Sequence, residues 1–373
     1  MKKSTLITLI LLVVGICLAL AGFAAGGTKG FWIGNDGFHL SSADNGKIVT
    51  VDETYDSFKN IDADASFMDN ITIKEGDSYR IQGQNYERFG GIRVQLEGDT
   101  LVVKAGKRAD DREGWIINFG IDEWFGGGKK YQENCWIEIT YPGGADLGTV
   151  NTTIDAGSTI VNGLSCETLK VKDDFGKVDI TAVSCSDMDI RANAGDINVS
   201  DITASGSVTV TDDFGKVDIT SVSCGDMDVK ANAGDVKVST VDASGEVIVN
   251  NDFGKVTIDK TVANKMSLSL SAGDLRASDV ESGDMDVKSD FGLVSINGLK
   301  FSGLCEIQND SGDVDIELLM SEDDVSYELT AEAGNVSVNG RKSGSTTTNR
   351  ASSSGNNLKI DVDLGVVKVE FAG

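Results

Sequence analysis

The chain has 373 residues, with 59 acidic against 33 basic side chains, a net charge of −26 and one histidine, His39. That balance excludes a nucleic-acid partner, which would demand basic patches against the phosphates. A lone histidine also makes a serine or cysteine triad hard to build.

The chain opens MKKSTLITLILLVVGICLALAGFAAGG, and the stretch from Leu6 to Ala25 carries no charge. About twenty helical residues span roughly 30 Å, the thickness of a bilayer core. Residues 1–27 are therefore read as a cytoplasmic stub and transmembrane anchor. The positive-inside rule places Lys2 and Lys3 in the cytoplasm and the bulk of the chain outside, as a single-pass protein of the cell membrane. A cleaved signal peptide followed by secretion is the competing reading, because Ala24 to Gly26 supply small residues where cleavage would fall. The apolar run is longer than a usual signal core, which favours the anchor. Residues 28–45 are read as a linker.

Residues 46–149 hold strand-like segments such as GKIVTVDETY, GDTLVVKAG and CWIEITYPGG at irregular spacing. They are expected to form an irregular β cap and the first coils of the repeat that follows, covering its open hydrophobic end. Within them Trp115, Phe119, Trp124 and Phe125 gather among glycines and mixed charges. Two readings stand: a plug for the end of the stack, or a protruding loop that touches a partner or membrane through its aromatic rings. These four are the candidate partner-binding residues.

From residue 150 to 373 a glycine returns every 19 or 20 residues, at Gly157, Gly176, Gly195, Gly215, Gly234, Gly254, Gly273, Gly292 and Gly312, then more loosely at Gly334 and Gly365. Such a period marks stacked supersecondary units. Two and four residues after the glycine stand pairs such as Val178 and Ile180 or Ile197 and Val199; seven and five before it stand Met188 and Ile190 or Met227 and Val229. Period two of this kind signals strands with one buried face. The expected fold is all-β: a parallel β-solenoid of regular 19–20-residue coils with two strands each, preceded by one N-terminal transmembrane helix.

The residue after the glycine alternates Lys177, Asp196, Lys216, Asp235, Lys255, Asp274, which keeps like charges from stacking in one column. The residue before it alternates Phe175, Ala194, Phe214, Ala233, Phe253, Ala272, Phe291. That alternation is read as large and small corner residues interleaving in the core, with an exposed aromatic ladder as the second reading. Cys166, Cys185 and Cys224 lie ten residues before a glycine, where other coils place Ser205, Ser244, Ala263 and Ser282, and are read as small core-corner residues. Adjacent coils would bring Cys166 and Cys185 near enough for a bridge. The polar tract RKSGSTTTNRASSSGNN is read as a mobile loop that lengthens one coil.

No cofactor, metal or catalytic residue is expected. Asp174, Asp213, Asp252 and Asp290 align down one edge, but calcium wants six to eight oxygens around one ion. Acidic residues that recur in every unit read as a solvated face.

The coils SAGDL, SGDVDI and FGKVDI behind an apolar N-terminus, with GWIINFGIDEWFGGG before CWIEITYPGG, resemble a bacterial domain-of-unknown-function family of β-strand repeats labelled "putative adhesin". The resemblance implies a membrane-anchored surface protein, an adhesin-like scaffold or an envelope-stress sensor, and the lone histidine and compact coils point away from an enzyme. The implied partner is an unknown component of the cell envelope or surface: cell wall, protein or cationic peptide. A glycan-active parallel β-helix enzyme and a self-assembling structural solenoid are the alternatives.

Overall fold

The structure is a computed structural model that describes residues 47–66, 70–87, 90–106, 135–349 and 355–372 in full, and 30–34, 37–41 and 117–120 as backbone. The anchor expected over residues 1–27 lies outside the described residues. Among those described, no helix is long and apolar enough to cross a membrane.

The repeat folds as a parallel β-solenoid. Each strand pairs with its copy one coil on, in register at an offset of 19 or 20 residues. On one side Val150, Leu169, Met188, Val208, Met227, Val247, Met266, Met285 and Cys305 stack as one buried column. On the next side Ile73, Val161, Ile180, Val199, Ile219, Val238, Ile258, Ala277, Ile296 and Ile316 do the same. Full burial of each such side chain contributes roughly 1.5–3 kcal/mol. The columns join into one continuous core.

Each coil has three inward runs where the sequence reading finds two. In one coil they are Met188, Ile190 and Ala192; then Ile197 and Val199; then Ile202 and Ala204. The third run is hidden because a left-handed residue at its start breaks the alternation. Ala182, Asp201, Ser221, Thr240, Lys260 and Asp279 all have φ between 48° and 59° at this corner. Two outward residues in succession then shift the phase of the pattern.

The third run also corrects the cysteine alignment. Cys185 stacks on Ala204 and Cys224 on Ala243, while Ser205 and Ser244 are exposed. The 20-residue coils insert one residue in this turn, and an aspartate of the preceding coil holds it. Asp187, Asp226 and Asp284 accept the N–H of Ser207, Glu246 and Leu304 at 2.9, 2.8 and 2.8 Å.

Both ends depart from chain order. At the first, Asn60–Ala65 lies between Thr100–Ala105 and Leu147–Ile154, and Asn70–Gly76 lies between Trp136–Pro142 and Gly157–Asn162. Antiparallel strands then close it: Ile92–Glu97 on Thr100–Ala105, and Tyr79–Tyr86 and Ile48–Tyr55 beyond Trp136–Pro142. Phe58 packs edge-on against Tyr79 and Tyr55 at this end, with ring centroids 4.9 and 6.4 Å apart.

At the far end, Asn357–Leu364 threads between Leu304–Ser311 and Ser326–Ala333, so the last coil in the chain is not the last in the stack. Arg341–Ser343 and Thr346–Asn349, inside the tract read as a mobile loop, are instead antiparallel strands on Val336–Val338 and on Ser326–Ala333. The Glu322 carboxylate pins this end, accepting from the Tyr327 hydroxyl at 3.0 Å, Asn339 Nδ2 at 2.8 Å and Arg341 Nη2 at 2.6 Å.

Candidate functional site

The recurring glycines form the tightest corner of the solenoid. A Cβ on Gly195 would lie 1.6 Å from the Gly176 carbonyl oxygen, and one on Gly234 would lie 1.7 Å from that of Gly215. Backbone fills the corner, so no space remains inside for a large side chain. The residue before each glycine uses its carbonyl in the bond between coils, as where Phe214 accepts from the Gly195 N–H at 2.9 Å and Phe253 from that of Gly234 at 2.9 Å. Its side chain turns outward.

The phenylalanines therefore do not interleave in the core. Phe175, Phe214, Phe253 and Phe291 are 65, 66, 63 and 63% exposed, each separated from the next by a coil bearing Ala194, Ala233 or Ala272. Strict alternation from the buried Leu169, Val171 and Asp173 would point Phe175 inward; the glycine bend reverses it. The series continues in space where it stops in sequence. Phe291 pairs with Ser311, Ser311 with Leu364, and Leu364 is 58% exposed. Five large apolar side chains thus stand at every second coil along one edge, on a pitch of about 9.6 Å, twice the strand spacing. They span roughly 38 Å.

A polar row runs beside this rail. Asn193 Nδ2 donates to Asp174 Oδ1 at 2.8 Å and Asn232 Nδ2 to Asp213 Oδ1 at 2.6 Å, while the Ser271 hydroxyl reaches Asp252 Oδ1 at 3.5 Å. On the other flank the aspartates of the Lys/Asp alternation serve the backbone. Asp196 and Asp235 accept the N–H of Lys216 and Lys255 at 3.1 and 3.0 Å, and Asp274 and Asp313 those of Leu293 and Val366 at 3.1 and 2.9 Å. The lysines pair along their own strand, Lys177 with Asp179 at 2.8 Å and Lys216 with Asp218 at 2.9 Å.

Beneath the rail two carboxyl groups are buried. Desolvation pushes Asp173 up to about 7, with the Asp174 charge adding to it and approaches from the Phe175 N–H and the Thr159 hydroxyl opposing it. Asp212 is pushed up to about 6 by desolvation, against which the Phe214 N–H works. Two other coils place asparagine there. Asn251 and Asn309 donate to the Gly234 and Gly292 carbonyls at 3.2 and 3.1 Å.

Trp115, Trp124 and Phe125 lie outside the described residues. Phe119 falls in the strand Ile117–Gly120, whose backbone pairs antiparallel with Gly30–Gly34, with Phe119 opposite Phe31. Cys135, Cys166, Cys185, Cys224 and Cys305 are buried thiols outside any disulfide, so no bridge joins Cys166 to Cys185. Burial pushes Cys166 up to about 12 and Cys224 up to about 11, which leaves them protonated and inert. Among the described residues no three His, Cys, Asp or Glu side chains converge as a metal site would need. A shallow groove on the third side, lined by Asp242, Val262, Asn264, Glu281 and Lys300 among others, carries neither histidine nor cysteine.

In-register parallel coils, a single core running through all of them and ends closed by antiparallel strands define a β-solenoid repeat protein. The chain belongs to the Toastrack DUF4097 family, whose sequence profile it matches over residues 58–245 and again over 216–368. None of the curated proteins matches it. Among solved structures it is similar to a "putative adhesin" from Bacteroides fragilis NCTC 9343, at 10% identity and TM-score 0.28 over 87% of this chain and 97% of the other. A second "putative adhesin", from Parabacteroides distasonis ATCC 8503, matches at 11% identity and TM-score 0.25 over 88% and 98%. A "putative cell adhesion protein" from Clostridium sporogenes ATCC 15579 matches at 7% identity and TM-score 0.18 over 87% and 100%. At those TM-scores the likeness carries no inference about this chain.

Proposed function

We propose that the chain is a membrane-anchored extracellular interaction module, an adhesin-like scaffold that holds a regular apolar edge toward a partner in the cell envelope. One observation carries this reading: a rail of exposed phenylalanines on a rigid stack. Exposed apolar groups in a contiguous series mark interaction sites, and here the fold spends none of them on its own core. Catalysis is not part of the proposal, because Cys166 and Cys224 are buried and protonated and Asp196 and Asp235 beside the rail hold backbone N–H groups. Self-assembly by end-to-end stacking is disfavoured by the antiparallel strands that close both ends.

Co-sedimentation of the full chain, held in detergent micelles, with isolated cell walls and with lipid vesicles across a salt series tests the reading. Retention on the walls that survives high salt is the expected result, since apolar contacts are not screened. Absence from both pellets would remove the proposal.

A further inference from the structure

The rail repeats every second coil even where the chain does not. By chain order the member after Phe291 would come at the end of Ser326–Ala333. Instead the strand Asn357–Leu364 inserts ahead of it and sets Leu364 two coils beyond Phe291. An edge kept in phase through a topological exchange is a feature of the surface, and its pitch of about 9.6 Å is available to a ligand with a matching repeat.

Several extended polymers have repeats near that length, and the flanking groups choose among them. Polyanions are opposed by the net charge of −26 and by the row Asp174, Asp213 and Asp252. A second copy of this chain would bring the same acidic row against its own. An amphipathic helix needs a groove with walls, whereas rings more than 60% exposed stand proud of the edge. A polyproline peptide presents carbonyl acceptors and lacks N–H donors, so it brings nothing to the carboxylates of Asp174, Asp213 and Asp252, which alternate along the row with the donors Asn193, Asn232 and Ser271. The contacts of Asp174, Asp213 and Asp252 given above, together with the Lys172 ion pair to Asp174, all fall on Oδ1, which leaves Oδ2 of each to a donor. A partner with apolar faces at that pitch, many hydroxyl donors and no negative charge is an extended polysaccharide.

We infer that the edge formed by Phe175, Phe214, Phe253, Phe291 and Leu364 binds an extended, uncharged β-1,4-linked glycan, one disaccharide to each pair of coils. In such a chain alternate pyranose rings turn the same face to one side. Every second ring lies against a phenylalanine, the intervening ring fits over the alanine coil, and the hydroxyl groups donate to the aspartate row. This rests on the proposal that the chain is an interaction module and names the chemistry of its partner.

The test is retention of the full chain in detergent micelles on chitin and on cellulose, with α-linked amylose and a polyproline-peptide resin alongside. Phe214→Ala with Phe253→Ala removes two central rings that contribute nothing to the core, and a circular dichroism spectrum checks that the fold is kept. Phe214→Tyr with Phe253→Tyr keeps both rings. The expected result is retention on a β-1,4-linked polymer, not on amylose, lost at least tenfold in the alanine pair and kept in the tyrosine pair. No retention on either β-1,4-linked polymer, equal retention by the alanine pair, or preference for the polyproline resin would each overturn the inference. If the alanine pair still pellets with cell walls as the parent does, the glycan rail fails while the interaction module stands. Failure of the parent to pellet with walls or vesicles removes both.

Discussion

Asp196, Asp235, Asp274 and Asp313 illustrate what a repeat position is for. Charge alternation with lysine is visible in the sequence, and a column without like-charge repulsion is a fair reading of it. The structure gives the aspartate another task, since each one accepts the N–H of the residue after the next glycine. That explains why the lysine position drifts to Leu293 and Val366 while the aspartate is kept. The backbone bond needs only an N–H. Asp173 and Asp212 differ, because they point inward where Asn251 and Asn309 donate to a glycine carbonyl. Their folded values of about 7 and about 6 lie above the ordinary 3.8, so the folded state holds these protons more tightly than the unfolded chain does. The stability they contribute is full below about pH 4 and is lost as pH rises through 6 and 7. A tenfold difference in proton affinity between the two states is worth about 1.4 kcal/mol, so the loss by pH 8 amounts to several kcal/mol. Asp173→Asn with Asp212→Asn is expected to raise Tm at pH 8 and leave it nearly unchanged at about pH 3.5, where both carboxyls are protonated in the folded and the unfolded state. A parallel displacement at both values would show that these protons are not the cause.

At the scale of the element, the first two sides of each coil were legible because Val, Ile and Met recur at period two, and the third was not. One left-handed residue per coil shifts the phase, and no common residue type announces it: Ala182, Asp201, Ser221, Thr240 and Lys260 share a conformation and little chemistry. Thr240 carries the largest penalty in that series, being β-branched at φ 56° and exposed. Thr240→Gly relieves about 1–2 kcal/mol of left-handed strain against about 0.5–1 kcal/mol of added chain entropy. A small rise in Tm is expected, and a fall would mean the hydroxyl or methyl supports the corner. The phenylalanine rail was also half legible. Its alternation stood in the sequence and read as large and small residues interleaving in the core, with an exposed ladder as the second reading, and only the backbone-filled glycine corner decides for the ladder. The exchange of Asn357–Leu364 into the stack could not be read at all, because parallel pairing depends on which edges meet and not on chain order. Ending the chain at residue 349 removes that strand and parts the two coils it joins. Amides of Ser326–Ala333 are then expected to lose hydrogen-exchange protection although none of those residues is deleted, and Cys305, now covered by Leu358, to become open to alkylation. Protection of Ser326–Ala333 at the parent level would mean the two coils can meet directly.

For the molecule as a whole, stability is that of a one-dimensional stack in which each coil touches only its neighbours. The aliphatic columns run through the middle, and rings gather at the ends, with Phe58 and Tyr79 at one and Tyr327 beside Phe371, 6.0 Å between centroids, at the other. The coils between are nearly alike, so no interior unit is strong enough to hold the stack against a weak neighbour. Ile219, fully buried between Val199 and Val238, makes the sharpest test. Ile219→Ala costs roughly 2–5 kcal/mol through the lost transfer and the cavity left behind. In a globular core that loss would lower one cooperative transition. Here it falls on an interface that couples two half-stacks, each with its own closed end, and is expected to split the calorimetric unfolding into two overlapping transitions. The equivalent change at Val338, which has a coil on one side and only the short antiparallel strand Arg341–Ser343 on the other, should leave a single transition with frayed exchange confined to that end. One lowered but undivided transition for Ile219→Ala would mean that coupling between coils exceeds the stability of any segment. The rail would then sit on a stack that unfolds only as a unit.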